Sequence, residues 1–256
     1  MANEEGRGIY IAPMDTATPT LSRRLLAEGV GTAFLLMAVV GGGIAAQRLS
    51  PSDPGLQLLE AAVVTAFALA MLIWSFGPIS GAHFNPCVTL MDTLMGKRST
   101  KEAATYVGAQ VFGGILGAIL ANIMFELDAI TWSQTSRGGA GQLLGEVIAT
   151  LGLLMVIFLV ARPGGAGAGF VAPAVGTYIG GAYFFTSSTS FANPAVTIAR
   201  MFSDTFAGIA PASAPGFIIM QLGGTGVAFV LVRYLVDGDL NPLSPGIGSG
   251  EQGTSR

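Results

Sequence analysis

Six long runs of this chain carry almost no charge: Leu25–Ala46, Leu56–Ile79, Ala103–Phe125, Leu143–Ala161, Ala166–Phe185 and Phe217–Val232. Each is close to the length a helix needs to cross a ~30 Å hydrocarbon core, so the pattern predicts six transmembrane helices. Two further apolar stretches are too short to cross. GAHFNPCVTL at Gly81–Leu90 and FANPAVTIAR at Phe191–Arg200 each carry Asn-Pro, a side chain that caps a helix followed by a residue suited to its first position. The first should run to about Leu94, roughly 10 residues or ~15 Å, which is half a bilayer. Two such elements between long apolar segments predict a pair of re-entrant half-helices. The non-helical stretches before them, Ser80–Phe84 and Ser187–Ala192, are tolerated at membrane depth only if they are buried in protein or line a wet cavity. The Ser/Thr-rich run FFTSSTSF at Phe184–Phe191 fits that pore-lining role because it ends in the second motif.

The halves repeat. LLAEGVGTAFLLM from Leu25 aligns with LLGEVIATLGLLM from Leu143, setting Glu28 over Glu146; NPCVT at Asn85 aligns with NPAVT at Asn193; Gln110 and Gln221 each precede a glycine pair. Three spans per half is an odd number, so the second half enters the membrane upside down, and such an inverted repeat places a site near the midplane where the halves meet. The fold expected is an all-α membrane protein with six spans and two half-helices. The organisation is a tail over residues 1–22, a channel body over 23–236 with repeats at about 23–126 and 142–236, and a Gly/Pro/Ser-rich disordered tail over 237–256. Leu127–Gly141 is a polar connector between the repeats, and nothing in Met1–Thr20 reads as a cleavable signal.

Composition narrows the class. Of 256 residues 51% are hydrophobic and 11% charged, too apolar for a water-soluble core, and 37 glycines are about twice the usual share of ~7%, which suits close helix packing in lipid. A net charge of −3 argues against nucleic acid as a partner. One cysteine, Cys87, excludes an internal disulfide; with one histidine, His83, it leaves no metal cluster, no implied cofactor and no credible catalytic set. Arg7, Arg23, Arg24, Lys97, Arg98, Lys101, Arg162, Arg233 and Arg256 fall on one side of the six spans, against Arg48, Arg137 and Arg200 on the other. The positive-inside rule therefore puts both termini in the cytoplasm. Trp74 and Trp132 read as interfacial anchors.

Paired Asn-Pro motifs in an inverted repeat, each half with its own first-helix Glu, resemble the major intrinsic protein family, the aquaporins and aquaglyceroporins, over Arg23–Val236. That resemblance implies a cell-membrane homotetramer with one pore per protomer, in which Asn85 and Asn193 donate amide N–H bonds to solute in single file. The motif residues are then Asn85, Pro86, Cys87, Asn193, Pro194 and Ala195. The first motif departs from the family's Asn-Pro-Ala at Cys87, and the arginine usual after the second is Val196 here. Carrying the other constriction positions over by spacing implies Thr65, Gly181 and Ser190 beside Val196, a wide and weakly polar filter. FANPAVTIAR with Asp204–Gly208 is similar to a bacterial subgroup of aquaporins associated with arsenic resistance. The implied cargo is small neutral solutes: glycerol-like molecules, arsenous acid As(OH)3, and some water.

Each candidate has a plainer reading. Glu28 and Glu146, intramembrane carboxylates, suit a proton relay, but their duplication favours holding re-entrant backbone N–H groups. His83 reads as a buried structural histidine in preference to a gate, and Cys87 as packing in preference to an arsenic-binding thiol. Arg200 lies one helical turn beyond Val196; it can partly replace the missing arginine at the mouth, or serve only as a cation at a helix C-terminus. Inverted repeats and broken helices also occur in secondary transporters, though no asymmetric coupling site is evident. A non-conducting adhesion protein would need a plugged pore.

Overall fold

The computed structural model describes residues 18–237. The two expected tail segments lie outside the described residues, apart from residues 18–22 and Asp237. Eight α-helices follow one another: α1 Leu21–Leu49, α2 Pro54–Ser80, α3 Pro86–Leu94, α4 Thr100–Met124, α5 Ala140–Ala161, α6 Val171–Phe185, α7 Pro194–Ala199 and α8 Ala214–Asp237. Six are long and apolar enough to cross a membrane, among them α6 with the 3-10 turn Ala168–Phe170 that leads into it. An even number of crossings returns the chain to the face it starts from, here termed the terminal face.

Local sequence sets the helix starts. Asp53 accepts a hydrogen bond from the Leu56 N–H (2.9 Å) with Pro54 at the first helical position, and Ser99 accepts from Glu102 (3.2 Å). The half-helix α3 ends at Leu94 as the pattern predicts. Its counterpart α7 is shorter than FANPAVTIAR suggests, six residues followed by a 3-10 turn at Arg200–Phe202. Beyond Ala199 the backbone acceptors are taken by other segments: Ser133 N–H donates to the Met201 carbonyl (2.9 Å), and the Asn122 amide and Thr131 N–H donate to Phe202 (3.0 and 3.2 Å). The connector is thus folded over the end of α7.

The bundle is apolar outside and polar inside. Phe34, Phe67, Trp74, Phe112 and Leu144 are exposed, while Glu28, Gln110, Glu146 and Gln221 are fully buried. Within lipid no hydrophobic drive joins the helices, and contact depends on close backbone approach. That is visible where α1 meets α4: a Cβ on Gly113 would fall 2.0 Å from the Gly29 carbonyl oxygen, and one on Gly117 2.2 Å from that of Ala33. The second half repeats the arrangement with α5 on α8, and α2 packs on α6 across the halves.

A side chain at Gly113 cannot be absorbed by a rotamer change, because it would meet backbone. Gly113→Leu is expected to cost about 3 kcal/mol or more by overpacking. Gly108→Leu, on the same helix with nothing within 4 Å, is the control. Thermal unfolding of the purified protein in detergent should show a large drop for the first and little change for the second; equal midpoints would refute the packing account.

Candidate functional site

The segments entering the half-helices adopt a conformation that most residues avoid. Ala82 and Phe84 have φ of 48° and 49°, and Ser190 and Ala192 mirror them at 53° and 49°. Each left-handed non-glycine residue costs on the order of 1 kcal/mol and persists only where its surroundings enforce it. Two carboxylates do so. Glu28 of α1 accepts from the His83 N–H (3.0 Å), the Phe84 N–H (2.8 Å), the Ser80 hydroxyl (2.6 Å) and the Gln110 amide (2.8 Å). Glu146 of α5 accepts from Phe191 N–H and Ala192 N–H (both 2.9 Å) and from the Gln221 amide (2.6 Å). Gln110 and Gln221 donate again to Thr89 and Thr197 on the half-helices (3.0 and 2.9 Å). These carboxylates are surrounded by donors of the scaffold, which leaves a proton relay little to work with.

The two Asn-Pro starts are locked together. The Asn85 side-chain oxygen caps its own helix at the Cys87 N–H (2.9 Å), and that of Asn193 takes Ala195 and Val196 (2.9 and 3.2 Å). Each amide nitrogen then crosses to the other half: Asn85 Nδ2 donates to the Ala192 carbonyl (2.7 Å), Asn193 Nδ2 to that of Phe84 (2.8 Å). One N–H per amide is left over. Both asparagines line a cavity of about 370 Å³ whose walls run from Lys97, Arg162 and His83 near the terminal face to Arg200 at the far end. His83, Ala82, Ser190 and Phe191 line it too, and the His83 and Phe191 carbonyls receive no hydrogen bond among the described residues. The site therefore offers a file of backbone acceptors with two side-chain donors at its centre.

The remaining candidates divide. Thr65, Ser190 and Val196 line the cavity. Gly181 does not: it sits on the exposed side of α6, and Tyr183 takes the lumen-facing place, its hydroxyl 2.9 Å from that of Thr65. The buried face of α6 is Ala172, Val175, Gly176, Ile179, Ala182 and Tyr183, a helical period that position 181 falls outside. Spacing counted back from Asn193 through a loop misses this register. Pro86, Cys87, Pro194 and Ala195 are buried behind the lumen, Cys87 fully so and beside Thr225 of α8, so the thiol does not face a passing solute. His83 is hydrogen-bonded to Thr89 through Nδ1 (3.1 Å), and its Nε2 lies 3.8 Å from the Asp92 carboxylate.

Arg200 lines the cavity one turn beyond Val196, 3% exposed, its Nε donating to the Ala207 carbonyl and its guanidinium 3.5 Å from the centre of the Phe191 ring. Sequence reading gives no site role to Arg137 of the connector. It donates to the carbonyls of Gly208 (2.7 Å) and Phe206 (3.1 Å), and its guanidinium lies 5.0 Å from the same ring. Burial pulls the Arg137 guanidinium below the usual arginine range. Only the density of carbonyls in residues 206–208, seen in three dimensions, brings the two cations together.

Comparison with known proteins gives a consistent neighbourhood. A family model described as Major intrinsic protein matches residues 15–190. The chain is 44% identical over 229 residues to the aquaglyceroporin AqpS of Rhizobium meliloti (strain 1021), covering 88% of this chain and 93% of that one. It is 30% identical over 247 residues to the probable aquaporin AqpM of Archaeoglobus fulgidus, covering 85% and 98%. The fold superposes on the X-ray structure of the aquaglyceroporin from Plasmodium falciparum with a TM-score of 0.65 at 22% identity, covering 84% and 96%.

Replacing Glu146 by Ala strands the Phe191 and Ala192 N–H groups, each buried donor costing about 1–3 kcal/mol. The predicted loss is about 2 kcal/mol or more, read as a lowered thermal midpoint in detergent. A midpoint equal to wild type would show that the carboxylate does not hold the segment.

Proposed function

The chain belongs to the major intrinsic protein family, and from that premise we propose that it is a passive channel for small uncharged solutes of the glycerol type, As(OH)3 and some water among them. The observation that carries this reading is the continuous cavity joining Lys97 and Arg162 to Arg200 past both asparagines. Solute hydroxyls take the free N–H of Asn85 and Asn193 and donate to carbonyls such as those of His83 and Phe191, exchanging hydration for a matched file of partners. Charged solutes pay desolvation without a counter-charge in the midsection.

Selectivity is assigned to Thr65, Tyr183, Ser190 and Val196. With valine where the family usually has arginine, fixed donors and a positive charge are missing at that point, which favours larger neutral solutes. Tyr183 narrows the passage relative to the glycine expected there, and Arg200 restores a cation one turn further along. Those two residues favour a second reading, a pore that passes water better than polyols. The excess of Lys and Arg near the terminal face supports a cytoplasmic orientation of that face in a cell membrane, and the exposed apolar flanks suit lipid and homotetramer contacts.

Stopped-flow light scattering on proteoliposomes, with water, glycerol and As(OH)3 as permeants, separates the readings. Glycerol flux should be present in wild type, should fall about tenfold in Val196→Arg, equivalent to about 1.4 kcal/mol of added barrier, and should rise in Tyr183→Gly. If wild type passes only water and Tyr183→Gly admits glycerol, the water-selective reading replaces the first.

A further inference from the structure

At the end of the cavity away from the terminal face, two guanidiniums converge on one ring. Phe191 lies 3.5 Å from Arg200 and 5.0 Å from Arg137, and three consecutive carbonyls, Phe206, Ala207 and Gly208, orient the pair. Carbonyl oxygens direct guanidiniums but do not neutralise them. Neither arginine forms an ion pair among the described residues. The nearby acids attract the pair from a distance without ion-pair contact to either arginine: Asp204, which shares a recess with Arg137, accepts from the Gln134 N–H (2.9 Å), and Glu146 is held by the Phe191 and Ala192 N–H groups and the Gln221 amide. Arg200 therefore reaches the lumen with its terminal N–H groups unmatched by any acceptor among the described residues. Ser190, the residue before Phe191, lines the same cavity with a buried hydroxyl that also lacks a partner.

Two close, poorly solvated cations repel one another, and an anion between or before them removes that penalty. The guanidinium fork matches two oxygens of an oxyanion, and a hydroxyl adds a third donor. We propose that this mouth is a binding site for a small oxyanion of the phosphate type, seated on Arg200 and Ser190 with Arg137 behind, and that its occupancy closes the cavity to neutral solutes. The closure rests on the channel reading above; the binding site does not. A lipid headgroup is excluded as the source because Arg200 and Ser190 face the lumen and not the apolar exterior.

The test uses the full chain in detergent and in proteoliposomes, with inorganic phosphate as the probe at constant ionic strength. Isothermal titration should detect saturable binding that weakens about tenfold in Arg200→Gln and in Arg137→Gln, the size expected for one lost charge-assisted contact. Arg137→Lys should retain most of it, and Ser190→Ala, the mildest change, should weaken it severalfold while leaving the thermal midpoint intact. Phosphate on the Arg200 side should slow glycerol entry in wild type and not in Arg200→Gln. No saturable binding up to about 50 mM, or binding undiminished in all three neutralising or truncating variants, overturns the site. Binding without any slowing of a measurable flux overturns the closure. Absence of flux altogether would count against the channel reading and leave the titration to decide the site.

Discussion

Backbone that leaves the helix inside a bilayer must find hydrogen-bond partners within the protein, and in this chain two carboxylates provide them. Glu28 and Glu146 each gather adjacent N–H groups of a re-entrant segment and a glutamine from the neighbouring helix. A buried carboxylate in hydrocarbon is costly alone. Surrounded by three or four donors it becomes the fixed point on which left-handed Phe84 and Ala192 are hung, and through them both asparagines. The pore is thus built by the scaffold behind it.

The inverted repeat explains how one solution serves twice, and its imperfections locate what is particular to this molecule. Ser80 adds a fourth donor to Glu28, and no hydroxyl among the described residues does the same for Glu146. The half-helix α3 runs nine residues, whereas α7 gives way after six to a turn capped by the connector. That asymmetry brings Arg137 and the 206–208 carbonyls to one end of the cavity, while the other end keeps the His83–Asp92 contact. A symmetric channel would have two similar mouths; this one has a cationic mouth with no acid paired to it among the described residues.

Much of the architecture is legible in the chain because it rests on local rules. Run length exposes the spans, Asn-Pro the half-helix starts, and the duplicated Glu the repeat. The features that escape a sequence reading depend on contacts between distant segments. Counting along the chain points to Gly181, but a helix presents residues every 100° and Val175, Ile179 and Tyr183 define the lumen side of α6. No pattern at Asn85 reveals that its amide reaches Ala192 of the other half, a separation of 107 residues. In the sequence Arg137 is one connector charge; the fold sets it beside Phe191.

On the proposed function, the free N–H groups of Asn85 and Asn193 and the carbonyls beside them form a file of partners for a neutral solute. An experimental structure of the wild-type protein soaked in glycerol at a resolution that shows ordered oxygens tests it most directly. Solute or water oxygens are expected within hydrogen-bond distance, about 2.9 Å, of both Asn Nδ2 atoms and of the His83 and Phe191 carbonyls. A cavity with its ordered oxygens elsewhere, or with both amides wholly engaged by protein, would contradict it.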